Sequence, residues 1–242
     1  MIRTLSADTS LPLGALLRGE VEVLAGWVAR WTPSQTFRQA LVIMAGAGAF
    51  GAAMGSWRAP EQAVFSALKL PFVLLTTAAG NALINGMLAP LFGMDLKLRE
   101  SFAAVLASFA LAATILGAFS PLMLFLVWNI PPPEPGAPVA VATHSAMVLT
   151  LVAMIAFAGV TANVRLLQLL RRLGGDAAPA LRLLLAWLTV NLLLGSQLSW
   201  ILRPFVGNAE EAVRFLDPHA LSGNFFEEVA RDAAALWSHF SQ

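Results

Sequence analysis

Six side chains stand where this chain is otherwise most apolar: Asn81, Asn85, Asn191, Gln197, Trp200 and Arg203. An amide taken into hydrocarbon must find a partner, because its unpaired donors and acceptors are costly away from water. Thr77, Asn81 and Asn85 recur at i, i+4 and i+8 and share one helix face. Thr189, Asn191, Gly195, Ser196, Gln197 and Ser199 interrupt a leucine-rich run that ends in Trp200-Ile201-Leu202-Arg203-Pro204-Phe205-Val206-Gly207. Two chemistries suit such groups. Hydrogen bonds between the two sets would tie helices together, whereas the same amides lining a wet path would pass a polar solute or an ion. Dry, mutually bonded amides mark the first, and water-accessible amides mark the second. Direct pairing predicts that the Asn81/Asn85 face turns toward Asn191 and Gln197. Arg203 beside Trp200 reads as a cation snorkelling to the interface. Its alternatives are an anion, a lipid headgroup, or Glu210, Glu211 or Asp217.

Catalytic chemistry finds little support. The histidines, His144, His219 and His239, are never one helical turn apart, and no HExxH occurs. The chain has no cysteine, which excludes thiolate catalysis and Cys-ligated metals. No Asp or Glu lies at the centre of an apolar run, and no glycine loop precedes Lys-Ser or Lys-Thr. No enzyme activity, metal or cofactor is expected. A net charge of +1 gives no electrostatic footprint for nucleic acid.

The elements that must position these residues are membrane helices. Of 242 residues, 58% are hydrophobic and only 12% charged, with a mean hydropathy of +0.73. A soluble domain carries about 25% charged residues. Several runs of the length needed to cross roughly 30 Å of hydrocarbon lie between polar breaks. Backbone groups in lipid must be satisfied within the segment, so these runs are expected to be helices. The spans are placed at 39–57, 70–92, 102–130, 143–164 and 181–202. In the first, Gly51 and Gly55 form a GxxxG pair that lets helix backbones approach closely, within the chain or between copies. Pro71 is expected in the first turn of the second span and Pro121 at a kink in the third. Trp128 is expected at the third span's interfacial end. Five prolines between 131 and 138 make a stiff extended loop. Arg165, Arg171, Arg172 and Arg182 form a basic connector turned at Gly174-Gly175.

Before the spans, residues 13–31 form an amphipathic stripe of Leu13, Leu17, Val21, Leu24, Val28 and Trp31, either lying on the membrane or packed on the end of the bundle. That first apolar run, broken by Arg18, Glu20 and Glu22, is not a signal peptide. After the spans, Asn208 with Glu211 and Asn224 with Glu227 are N-cap and N3 pairs for a helical tail. Three parts result: 1–36, an N-terminal cytoplasmic amphipathic segment; 37–206, a transmembrane five-helix domain; and 207–242, an external helical tail. Five crossings place ten of the fifteen Lys and Arg residues on the N-terminal side, which predicts a cytoplasmic N-terminus and an external C-terminus.

The run from Gly195 through Gly207, followed by Gly223-Asn224-Phe225-Phe226-Glu227, resembles a stretch at the end of the last span in a group of bacterial integral membrane proteins. That resemblance implies a location in the bacterial inner membrane and brings no activity with it. Residues 92–102, Phe-Gly-Met-Asp-Leu-Lys-Leu-Arg-Glu-Ser-Phe, lead into a span with Ser120-Pro121 and resemble the Yip-domain superfamily of five-helix membrane proteins with a cytoplasmic N-terminus. The Asp-Leu-Tyr-Gly-Pro motif of its eukaryotic members is absent, and the chain has no tyrosine, so their Rab-binding role is not carried over. The reading is an all-α polytopic membrane bundle that acts without catalysis as a scaffold or partner subunit. Its partners are the lipid bilayer and other membrane proteins or a second copy. The alternative is a small transporter or channel with a polar path between spans two and five.

Overall fold

A computed structural model describes residues 13–130, 138–207 and 212–227, with the backbone alone for Leu13, Asn85 and residues 138–146. Seven helices follow one another: α1 (Leu13–Arg18), α2 (Val21–Ala29), α3 (Pro33–Gly55), α4 (Pro60–Leu91), α5 (Leu98–Asn129), α6 (Pro138–Gly174) and α7 (Ala177–Ile201). No strand occurs among the described residues. The five helices from α3 to α7 are long and apolar enough to cross a membrane. The proline loop at 131–137 and the Asn208/Glu211 pair lie outside the described residues.

The short, glycine-rich α3 packs on both α4 and α5, and α5 is the most buried of the five spans. Its 23 residues reach about 34 Å at 1.5 Å per residue, enough to cross. Pro33 occupies its first turn, and the Gln35 side chain accepts a hydrogen bond from the Thr32 backbone N–H at 2.6 Å. Glycine is what allows the packing. A Cβ on Gly55 would lie 2.5 Å from the Gln62 carbonyl oxygen of α4, and one on Gly51 would collide with the Ser66 carbonyl. On another face, a Cβ on Gly46 would strike the Ala113 carbonyl of α5. The Gly51/Gly55 pair therefore sits at a contact inside the chain. Gln39, fully buried, donates to the Ala103 carbonyl at 3.2 Å and ties α3 to α5 near their other ends.

Several boundaries differ from those read in the sequence. The stripe at 13–31 is two helices, because Gly19 adopts a left-handed φ of +71°. Leu16, Leu24, Trp27 and Val28 are buried in the main core, so this face packs on the end of the bundle. Arg165 donates to the Leu17 carbonyl at 3.2 Å, and Arg172 pairs with Glu22 at 2.7 Å. The bond from Arg172 holds the Glu22 carboxyl below its usual range. Whatever this exposed pair adds is present at neutral pH and is lost as the pH falls through that lowered value.

The basic connector is the last turns of α6 up to the Gly175 turn, where φ is +76°, and Arg182 belongs to α7. Helix α4 begins at Pro60, ten residues before the expected span, so Pro71 is interior to it and Lys69 is a helix residue rather than a loop charge. Pro121 lies inside α5, which continues to Asn129, and Trp128 is 78% exposed at its end. The described part of the tail folds back onto the bundle. Phe215 meets Phe65 edge-on at 5.4 Å between centroids, and Arg203 faces Asp217 at 3.4 Å. Within it, Asn224 accepts from the Glu227 N–H at 3.0 Å, where a helical turn starts.

Candidate functional site

The inward face of α4 carries Gln62, Ser66, Lys69, Val73, Thr77 and Asn81, all buried and spaced three or four residues apart. This single stripe extends upstream the Thr77–Asn81 series seen in the sequence. Helix α7 and the chain that follows it run antiparallel along the stripe, so Gln62, Ser66, Lys69 and Asn81 each meet a partner from 187–206. Asn81 donates to the Asn191 side-chain oxygen and, at 3.4 Å, to the Trp187 carbonyl. Gln62 donates to the Pro204 and Phe205 carbonyls at 3.0 Å each, and Ser66 donates to the Phe205 carbonyl. Lys69, only 1% exposed, donates to the Pro204 carbonyl at 2.8 Å. Its ammonium lies 5.8 Å from the Phe205 ring centroid and 5.1 Å from that of Phe215.

The six residues singled out by sequence are thus divided. Asn81 and Asn191 are brought together, whereas Gln197 is half-buried and makes no hydrogen bond among the described residues. Six residues beyond Asn191, it points about 240° further round the helix. The Asn85 side chain lies outside the described residues. Arg203 stacks on Trp200, its guanidinium 3.7 Å from the ring centroid, and donates to the Trp200 and His219 carbonyls at 2.9 and 3.1 Å. With Asp217 beside it, Arg203 is committed to holding the tail; of the partners expected for it, the carboxylate is the one it meets. Gln62, Ser66 and Lys69 were passed over in the sequence because they precede the apolar run. Their spacing in register with Thr77 and Asn81 is the signal that points to them.

Between α6 and α7, beside this seam, opens a cleft of about 290 Å³ floored by α4 and α5. One end is mostly apolar, with Leu70, Leu116 and Ile155 and, from α7, Ser199. The other end, one to two turns along each helix, brings together Thr77, Ser108, Asn163 and Asn191, one residue from each of the four helices. Beyond that end, Leu16 and Leu24 of α1 and α2 close the bundle around a void of about 10 Å³ that Ser108 also lines.

The arrangement defines an integral membrane helical bundle with a buried polar seam between α4 and the chain from α7 onward. No family model, curated protein or solved structure matches the chain. Among the described residues no cluster of His, Asp or Glu could hold a metal ion.

If the Asn81–Asn191 bond ties α4 to α7, substitutions at the two sites will not add. A double-mutant cycle of Asn81→Leu and Asn191→Leu is expected to show a coupling of about 0.6 kcal/mol or more, the usual scale for such bonds in membranes. Strictly additive losses in unfolding stability would remove the tie.

Proposed function

We propose that the chain is a non-enzymatic partner subunit or scaffold in a bacterial inner-membrane assembly, with its N-terminus in the cytoplasm. The observation that carries this reading is how its membrane amides are disposed. Asn81, 1% exposed, is tied to Asn191 within the bundle, so a polar path between α4 and α7 would require that seam to open. Gln197 is left on the flank of α7, the span with the smallest buried share. An amide at that depth is satisfied by a neighbouring helix at little cost, since the alternative is hydrocarbon. The likeness of 92–102 to Yip-domain proteins and of 195–207 to bacterial integral membrane proteins supports the same setting.

Purification in mild detergent is expected to recover a second membrane protein or a second copy with the chain, and Gln197→Leu is expected to reduce that recovery several-fold. A lone monomer from the wild-type chain, or recovery indifferent to Gln197→Leu, overturns the reading. For orientation, single cysteines replacing exposed Asp176 and Leu221 are expected to react from opposite sides, Leu221→Cys with an impermeant external reagent. External labelling of Asp176→Cys would reverse the assignment.

A further inference from the structure

We infer that the cleft among α4, α5, α6 and α7 is a binding site for one uncharged, single-chain amphiphile taken from the bilayer. Its hydrogen-bonding end lies among Thr77, Ser108, Asn163 and Asn191, and its hydrocarbon body along Leu70 and Leu116. Three observations support the site and its ligand class.

First, the polar end has unused capacity. Thr77 is 3% exposed, and its hydroxyl oxygen is buried without a hydrogen-bond partner among the described residues. A helical threonine usually bonds back to the preceding turn, as Thr114 does to the Ala110 carbonyl at 2.7 Å. Asn163 donates to the Gly159 carbonyl at 2.7 Å, which leaves its own carbonyl oxygen to accept. Of the buried side-chain atoms without a partner among the described residues, the Thr77 hydroxyl is the one that lines the cleft, and a group in that space would satisfy it.

Second, no charged residue lines the cleft, whose remaining walls are apolar except for Ser199. A charged ligand group would lose its hydration there and gain no counter-ion, so the ligand is neutral. A hydroxyl, amide or carbonyl has the chemistry to meet Thr77 and Asn163.

Third, the cleft is small: at about 290 Å³ it sits near the lower limit of small-molecule clefts, which suits one chain better than a two-chain lipid.

Glycine provides a clean test. A Cβ on Gly159, which lines the cleft, would meet nothing within 4 Å, so Gly159→Leu fills the cleft without striking the bundle. Purified wild-type chain in lipid nanodiscs is exposed to a diazirine-bearing decanol and, separately, to the corresponding decanoic acid at neutral pH. The alcohol is expected to crosslink to cleft-lining peptides. Gly159→Leu is expected to lower that labelling at least fivefold at unchanged thermal stability, and Thr77→Val about threefold. Labelling spread evenly over the lipid-facing helices, or equal in wild type and Gly159→Leu, overturns the site. Equal cleft labelling by the acid overturns the uncharged class. Partner recovery through Gln197 is scored separately, so failure here leaves the subunit reading standing.

Discussion

Gly51→Leu, Gly55→Leu and Gly46→Leu are expected to destabilise the bundle by about 3 kcal/mol or more each, while Gly159→Leu leaves its thermal midpoint unchanged. The four substitutions add the same side chain to the same residue type in membrane helices, and only the neighbour differs. At Gly55 the new Cβ would lie 2.5 Å from the Gln62 carbonyl oxygen, and at Gly51 and Gly46 it would collide with the Ser66 and Ala113 carbonyls. Backbone atoms cannot rotate aside as a side chain can, so α3 would have to move away from α4 or α5. Moving it would open the central contact of the bundle, because a Cβ on Gly117 of α5 would also come within 2.9 Å of the Gly46 Cα. At Gly159 there is no neighbour to displace. Thermal unfolding in detergent, with particle mass measured in parallel, separates the outcomes. If Gly51→Leu melts like wild type but loses mass, the glycine face joins two copies instead of two helices of one chain.

The five spans were legible in the sequence because their signal is local: an apolar run long enough to cross is a property of the run alone. What was not legible depends on partners far away in the chain. Helix α4 begins ten residues before its apolar stretch because Gln62, Ser66 and Lys69 are satisfied by carbonyls 135 to 143 residues further on. Without that loop in place, those residues read as the polar lead-in to a span. The break at Gly19 likewise depends on its setting, since a side chain there would run into the Arg165 guanidinium arriving from α6. The seam was legible in part. Asn81 and Asn85 are one helical turn apart, but Asn191 and Gln197, six residues apart, cannot share a face. Helical periodicity alone separates them. Asn163 and Ser108 gave no such signal, since a single polar residue in an apolar run acquires a role only from the three helices packed around it.

Lys69→Ala is expected to cost about 3 kcal/mol, and its first effect falls on the cap formed by the tail rather than on the spans. The lysine stem fills a buried position, and truncating a side chain of that size leaves a cavity worth roughly 2 to 5 kcal/mol. Its ammonium also makes a charged hydrogen bond to the Pro204 carbonyl, a class worth about 1.5 to 3 kcal/mol, though the two losses overlap. Phe205 and Phe215 lose the cation between them at the same time, and Phe215 belongs to the tail held by Arg203 and Asp217. Gln62 and Ser66 still grip the Phe205 carbonyl, so the loop stays attached at one end and loosens at the other. Limited proteolysis is therefore expected to cut Lys69→Ala between 212 and 227 under conditions where the wild-type chain is intact, before the helices unfold. Lys69→Met keeps most of the stem and discards the charge. It is expected to recover more than half of the lost stability, because a buried cation that meets no carboxylate among the described residues gains little over an apolar residue of its size. The two variants separate volume from charge. If Lys69→Met is as damaging as Lys69→Ala, the ammonium and its bond to Pro204 hold the cap; if neither exposes the tail to protease, the α4 stripe does not anchor it.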